Sequence, residues 1–280
     1  MRWSDHPEYL QELKKFLMPV QNTVLWPSCW ESHTEIVHFQ PLVESLEAFT
    51  DLKGKKILDS GCGSAGLLLA FANAGAIDLV GIELDPNIYR LAVLRTSAIG
   101  HIHIFQEDAW ILQTSEESFD IVVSNQVIEH VSDYSAYLTT LTRLLKPGGI
   151  LLIACPNRLW PFEAHSNLPF IHYLPRRSAR KMASRIECSK FVTKSMRDRA
   201  RTSLLYETDF SYFYLKKLLL DHDLEVLEMN HPRNLLADLF SHPVGRFLGV
   251  MVRSLPYRFQ RFASALFARH LRAICRKAIR

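Results

Sequence analysis

The sequence has no C-x-x-C pair, and its five cysteines (29, 62, 155, 188 and 275) are scattered and odd in number. That argues against a disulfide framework or a thiolate zinc site and points to a reducing cytosol. Met1-Arg2-Trp3 runs straight into Asp5 and Glu8 with no apolar stretch, so no secretory leader is expected. No apolar run approaches the roughly 20 residues of a membrane-spanning helix. There is no internal repeat and no low-complexity tract. Acidic residues also run out, because none follows Asp238.

What is present is an uneven chain of 280 residues. Residues 1–150 carry 10 Lys and Arg against 19 Asp and Glu, a net of −9, and residues 151–280 carry 23 against 10, a net of +13. An acidic half and a basic half suggest different jobs; a merely solvated basic surface is the plainer reading.

The first 50 residues read as helical, with one helix through Tyr9–Leu17 and a second over Thr34–Phe49, punctuated by Pro19 and Pro27. From Lys56 the pattern alternates. Strands are expected at Lys56–Ser60, Asp78–Glu83, Ile102–Gln106, Phe119–Ser124 and Ile150–Cys155. Helices are expected over Ala65–Ala74, Pro86–Ile99 and Tyr134–Leu145. This rhythm implies an α/β fold, a mostly parallel Rossmann-like sheet with helices on both faces. After Pro156 the rhythm breaks, and it returns with a helix over Ser211–Asp221 and a strand over Leu224–Met229. The organisation expected is an N-terminal helical segment (1–50), a core (51–156), a cap insertion (157–205), completion of the core (206–242) and a basic tail (243–280).

The stretch Ile57–Gly66, "ILDSGCGSAG", carries the G-x-G-x-x-G spacing shared by nicotinamide-binding and adenosyl-binding domains. Gly61 and Gly63 would let the backbone approach a ligand, and Gly66 would let the helix start close to the strand. Glu83, at the end of the second strand, can bond ribose hydroxyls. Asp59 breaks the tie: a carboxylate at the mouth of the loop repels a pyrophosphate but can hold a cationic ligand's ammonium group. Asp108, after the third strand, suits an adenine amino group.

Five motifs in order, "ILDSGCGSAG", "GIELDP", "EDA", "FDIVVSNQVIEHV" and "LLKPGGILLIACPN", resemble those of class I S-adenosylmethionine-dependent methyltransferases. The likeness is to the branch that includes ubiquinone- and menaquinone-biosynthetic enzymes; it covers about residues 50–155 strongly and 205–230 weakly. The resemblance implies S-adenosyl-L-methionine as cofactor. It further implies that Asp59 and Gly61 face the methionine end, Glu83 holds the ribose, Leu84 packs on adenine, Asp108 and Ala109 read the adenine edge, and Asn125 contacts the cofactor's amino group. Some quinone-type relatives bind a metal through a glutamate three positions before the Glu-His pair. That position is Gln126 here, so no required metal is expected.

A hydroxyl acceptor also needs a base, and His130, after the fourth strand, is the candidate. In the cap, Trp160, Glu163, His165 and His172 look like parts of an acceptor pocket. Residues 176–201 hold ten Lys and Arg against Glu187 and Asp198, suited to a phosphate, a membrane surface or nucleic acid. With no "NPPY"-type tetrapeptide after the fourth strand and no RNA-binding module, a nucleic-acid substrate is disfavoured. In the tail, Phe259, Phe262, Leu266, Leu271 and Ile274 keep helical spacing beside arginines, which fits either a basic amphipathic helix on an anionic membrane or a helix packed on its own domain.

The reading is a cytoplasmic O-methyltransferase for a small hydrophobic or lipid-linked acceptor, such as a quinone precursor or a glycan intermediate. The basic cap and tail suit contact with the inner membrane surface. The rivals are an NAD(P)-dependent oxidoreductase and a non-catalytic adenosyl-binding or scaffold protein.

Overall fold

Continuous apolar runs set the centre of the structure. In the computed structural model, which describes residues 7–21, 26–107, 116–163, 166–202, 210–241 and 245–279, strand β1 covers Lys56–Ser60, β2 Asp78–Ile82, β3 Ile102–Phe105 and β4 Phe119–Asn125. Strand β1 pairs in parallel with both β2 and β4, with Ile57 opposite Leu79 on one side and Ile121 on the other. All three side chains are fully buried. A strand covered on both faces needs such unbroken apolar sequence rather than alternation.

Strand β5 spans Leu145–Pro156, β6 Leu224–Met229 and β7 His270–Lys277, and the sheet order is β3-β2-β1-β4-β5-β7-β6. The chain order reverses between β1 and β4. In open α/β sheets that reversal leaves the crevice in which ligands bind. The expected Rossmann-like α/β sheet is therefore present, with one strand that the sequence reading missed.

The chain divides into two compact units. The first comprises Met1–Asn125, Asp133–Leu152 and Arg276–Arg280, and the second Gln126–Ser132 and Ile153–Cys275.

In the first unit, α1 is Pro7–Phe16, α2 Trp26–Thr34 and α3 Gln40–Glu47. The single helix expected over Thr34–Phe49 is thus two helices parted by a 3-10 turn at Val37–Phe39. Pro27 and Pro41 do not break these helices. Each sits in a first turn, where a missing N–H costs nothing. Helix α4 (Gly66–Asn73) is buried along most of its length, including Leu67, Leu68 and Phe71. Helices α5 (Pro86–Thr96) and α6 (Tyr134–Leu144) each start on an aspartate cap: Asp85 accepts from the amides of Asn87 and Ile88, and Asp133 from that of Ala136.

In the second unit, α7 (Arg176–Cys188) and α8 (Lys194–Thr202) pack through small residues, Ala179, Ala183 and Ala200, on Leu168 and Ile171. Helix α9 (Tyr212–Leu220) precedes β6; α10 (Pro232–Ser241), α11 (Gly245–Ser254) and α12 (Tyr257–Phe267) follow it.

The tail differs most from expectation. The helical stripe expected to run through Leu271 and Ile274 stops at Phe267, and residues 270–277 form β7, with Leu271, Ala273, Ile274 and Cys275 buried. Two buried asparagines set this switch. Asn157 donates to the carbonyls of Leu266 (3.0 Å) and Ala268 (2.7 Å), and the Asn230 side chain accepts from the Arg272 amide (2.7 Å). The Asn157 amide donates to Arg269 O, while Lys277 Nζ donates to Leu145 O, so β7 runs antiparallel to β5. The paired, buried backbone overrides a helix-like side-chain spacing.

A chain ending at Ala268 is expected to lose cooperative unfolding, followed by circular dichroism and calorimetry. An unchanged transition would mean that residues 270–277 are dispensable rather than part of the sheet.

Candidate active site

Beneath the glycine loop, one tyrosine ties two strands together. The Tyr137 hydroxyl from α6 lies 2.9 Å from Ser60 Oγ, at the end of β1, and 3.0 Å from Ser124 Oγ, near the end of β4. All three residues are buried, so the reversal point of the sheet is held by a satisfied polar contact.

The loop then leaves β1 with Gly61 at φ +75° and Gly63 at φ +54°, conformations that side chains resist. Its amides are already committed. Gly61 and Cys62 both donate to Ile82 O (2.9 Å each), Gly63 donates to Glu83 Oε2 (3.0 Å), and Ala65 donates to Cys62 O. A pyrophosphate-binding loop turns such amides toward its ligand; this one spends them internally.

A Cβ at Gly66 would collide with the Phe39 ring, so this glycine admits the N-terminal segment against the start of α4.

Two carboxylates meet at the mouth of the loop. Glu83 accepts from the amides of Gly63 and Asp85, 3.0 Å each, which fixes it after β2. Asp59 is 2% exposed, and its Oδ1 has no hydrogen-bond partner among the described residues. Burial, reinforced by the negative charge of Glu83, pushes its carboxyl up to about 7. A buried acid left this way lacks a cation. Cys62 is no nucleophile, since burial and the charges of Asp59 and Glu83 hold its thiol well above the usual range.

The N-terminal helices reach the same loop through Ser64. Its Oγ lies 2.8 Å from His33 Nδ1 and accepts from Arg95 Nη1 at 2.9 Å, while the Ser64 carbonyl accepts from the same Arg95 atom. Burial first and the Arg95 charge second push His33 down to about 4, so its ring is neutral near neutral pH, where the Ser64 contact is one shared hydrogen bond. Arg95 lies over the Tyr9 ring, whose hydroxyl donates to His33 O. Sequence reading assigned residues 1–50 no part in the site; the only available signal was a buried-type arginine on α5, which periodicity cannot distinguish from a surface one.

Asn125 ends β4, half-buried, and Leu84 is 62% exposed beside Glu83. Asp108 and Ala109 lie outside the described residues, as does His165. In the second unit, a 3-10 turn at Ile128–His130 buries Glu129 and exposes His130. Both Glu129 oxygens lack a partner among the described residues. Burial pushes the Glu129 carboxyl up to about 7, its own amide opposing the shift. Sequence reading singled out His130 and passed over this neighbour.

Of the cap residues, Trp160 packs with Leu235, Leu239 and Ala268. Glu163 accepts from the Ser166 amide and hydroxyl, 2.6 Å each, within a tight turn. His172 lies 3.2 Å from the Arg158 carbonyl and against the Tyr173 ring. Among the described residues no group of three or more His, Cys, Asp and Glu could hold a metal ion.

Residues 58–153 match the family model described as "Methyltransferase domain". These residues resemble the domain of class I S-adenosylmethionine-dependent methyltransferases. The chain is 35% identical over 147 residues to a ubiquinone biosynthesis O-methyltransferase of Bradyrhizobium sp. (strain ORS 278), covering 51% of this chain and 54% of that protein. It is 36% identical over 110 residues to the same-named protein of Sinorhizobium fredii (strain NBRC 101917 / NGR234), covering 38% and 43%. The chain thus spans about half the length of the curated relatives it matches.

In fold it resembles an S-adenosylmethionine-dependent methyltransferase from Mesorhizobium loti, with a TM-score of 0.56 at 14% identity over 85% of this chain and 96% of that one. It also resembles Haemonchus contortus phosphoethanolamine N-methyltransferase 1, solved with phosphoethanolamine and S-adenosylhomocysteine, with a TM-score of 0.52 at 15% identity over 84% of this chain and 41% of that one. The domain's loop fits the cationic cofactor of this class: Asp59 offers an unpaired carboxyl oxygen, and Glu83 is anchored where a diol can donate to it.

With a folded carboxyl near 7 and an ordinary value of 3.8, Asp59 keeps its proton when the unfolded chain has lost it. Its contribution to stability is therefore present below about pH 4 and is lost as pH rises through 7. His33 supplies the opposite slope between about pH 6.5 and 4. In the methyltransferase domain, Asp59→Asn is expected to abolish the first slope and leave the second, measured by denaturant unfolding across pH. The same variant should bind S-adenosylhomocysteine about tenfold or more weakly at pH 8, whereas an unchanged affinity would remove Asp59 from the cofactor site.

Proposed function

We propose that the chain transfers the methyl group of S-adenosyl-L-methionine to a hydroxyl of a small hydrophobic or lipid-linked acceptor, such as a quinone precursor or a glycan intermediate. The observation that carries this reading is the buried Asp59 carboxyl, whose Oδ1 has no partner among the described residues, beside a glycine loop most of whose amides are turned inward. A cationic adenosyl ligand answers that arrangement; a dinucleotide pyrophosphate does not.

The cofactor supplies an electrophilic methyl on a sulfonium. Asp59 would accept from its ammonium group and Glu83 from its ribose hydroxyls; Leu84 would cover the adenine, and this reading assigns Asp108 and Ala109 to the adenine edge and Asn125 to the amino-acid end. The chain's own part would be to hold the acceptor hydroxyl beside the methyl group and to take up the hydroxyl's proton. Much of the rate then comes from alignment of already reactive groups.

The base is His130, exposed at the end of the turn that follows β4. Glu129 is the second reading, because its carboxyl already sits near neutrality and both oxygens lack a partner among the described residues. The same reading assigns Trp160, Glu163, His165 and His172 to acceptor binding. The name of the relatives, ubiquinone biosynthesis O-methyltransferase, supports a hydroxyl of a quinone precursor as acceptor.

Calorimetry is expected to show S-adenosylhomocysteine binding and no NAD(P) binding; the reverse result would reject the methyltransferase reading in favour of a nicotinamide enzyme. Labelled cofactor incubated with cell extract should then mark a lipid-soluble product, and binding without turnover would favour a non-catalytic protein. His130→Ala should lower kcat about 100-fold or more with S-adenosylhomocysteine affinity unchanged. If the loss and the altered pH profile fall on Glu129→Gln instead, the base is Glu129.

A further inference from the structure

The hairpin of α11 and α12 has one satisfied face and one unsatisfied face. Inward, Val252 and Ala263 pack against the cluster of Trp160, Leu235, Leu239 and Ala268. Gly249 comes so close to the Phe240 ring that a Cβ would meet it at 3.1 Å, and Ser264 is fully buried with its Oγ donating to His231 O. That is how a helix normally disposes of its apolar stripe.

Outward, α11 presents Phe247 (74% exposed), Val250 (61%) and Met251 (52%), and α12 presents Phe259 (48%) and Phe262 (61%). Apolar residues therefore lie on both sides of the hairpin, and each helix exposes its outer set at i, i+3 or i+4 spacing. Single exposed apolar side chains need no explanation, but a group of large ones on paired helices marks an interaction surface.

The charge around it is of one sign. Arg246, Arg253, Arg258 and Arg261 are all exposed on the same two helices, and Arg258 lies over the Phe259 ring at 4.9 Å. From residue 239 to 280 the sequence holds nine Lys and Arg and no Asp or Glu. A protein partner that needed salt bridges would find cations but no acceptors for its own; a surface of uniform negative charge matches throughout. Phenylalanines that enter the acyl boundary, flanked by arginines at headgroup level, describe an interfacial helix pair. No helix among the described residues is long and apolar enough to cross a membrane, so this contact lies along the surface.

We infer that the outer face of α11 and α12 docks on an anionic phospholipid bilayer, with Phe247 and Phe262 inserted and Arg258 and Arg261 paired to lipid phosphates. This goes beyond the methyl-transfer reading and stands independently of it.

The test is flotation of the full chain with vesicles of phosphatidylcholine alone and of phosphatidylcholine containing about a third phosphatidylglycerol. Removing β7 would break the sheet, so point variants replace truncation. The unsubstituted chain is expected to float with the anionic vesicles and not with the neutral ones. Phe247→Ser combined with Phe262→Ser, and separately Arg258→Glu combined with Arg261→Glu, should each weaken partitioning about tenfold or more. High salt should weaken binding of the unsubstituted chain.

No flotation on anionic vesicles, equal flotation of either double variant, or indifference to lipid charge would overturn the inference. A dimer in sedimentation that the phenylalanine variant dissolves, with no flotation, would also overturn it and assign the face to a second copy of the chain. Circular dichroism of each variant verifies the fold. Loss of S-adenosylhomocysteine binding by the unsubstituted chain would reject the methyltransferase reading and leave the flotation result untouched.

Discussion

A buried carboxyl group, one of whose oxygens has no partner among the described residues, is the constraint on which the site depends. Asp59 stands on the central strand, closed off from water, with Glu83 as its nearest electrostatic neighbour. Folding puts one negative group beside another in a poorly solvated place, which opposes stability unless a proton or a ligand cation arrives. The surroundings keep the chain from relaxing away. Tyr137 fastens β1 to β4 directly below, the loop amides bind Ile82 and Glu83, and Ser64 is gripped from the other side by His33 and Arg95. The result is a seat whose electrostatic deficit is prepared before a ligand enters, as preorganised sites require.

This arrangement also explains the buried ionisable groups of the N-terminal segment. Arg95 would be costly to bury unless hydrogen-bonded, and Ser64 gives it two acceptors in the loop itself. His33 remains neutral because burial and the neighbouring Arg95 charge disfavour its protonated form. Helices α1 and α2 are thereby joined to the conformation of a loop far along the chain, so the acidic unit behaves as one piece around its ligand seat.

Most of the sheet was legible in the residues. The centres of β1, β2 and β4, Ile57-Leu58, Leu79-Val80 and Ile121-Val122-Val123, are apolar without alternation, as a strand covered on both faces requires. The glycines at 61 and 63 announced the turn, and Asp59 disclosed the ligand's charge. What stayed hidden depended on contacts distant in sequence. Gly66 owes its small size to Phe39, which no local pattern foretells. Glu129 and His130 are neighbours, and spacing alone cannot say which one the turn buries. Residues 270–277 carry Leu271 and Ile274 at helical spacing, yet Leu271, Ala273 and Cys275 alternate as a strand requires. The two patterns overlap, and Asn157 and Asn230, more than 30 residues away, decide between them. The tail's basic, aromatic character was visible in composition, whereas its exposed side emerged only once α10 had covered the other.

The place of β7 in the sheet has a consequence for biosynthesis. It lies between β5 and β6, both of which leave the ribosome earlier. Until residues 270–277 emerge, those two strands face each other across a missing neighbour, with open hydrogen-bonding edges in a nascent chain. Exposed edges of that kind invite pairing with other chains. The second unit must therefore stay incomplete, and open to chaperones, until this segment has been made, and a pause before it or a defect within it would leave the chain in its most adhesive state.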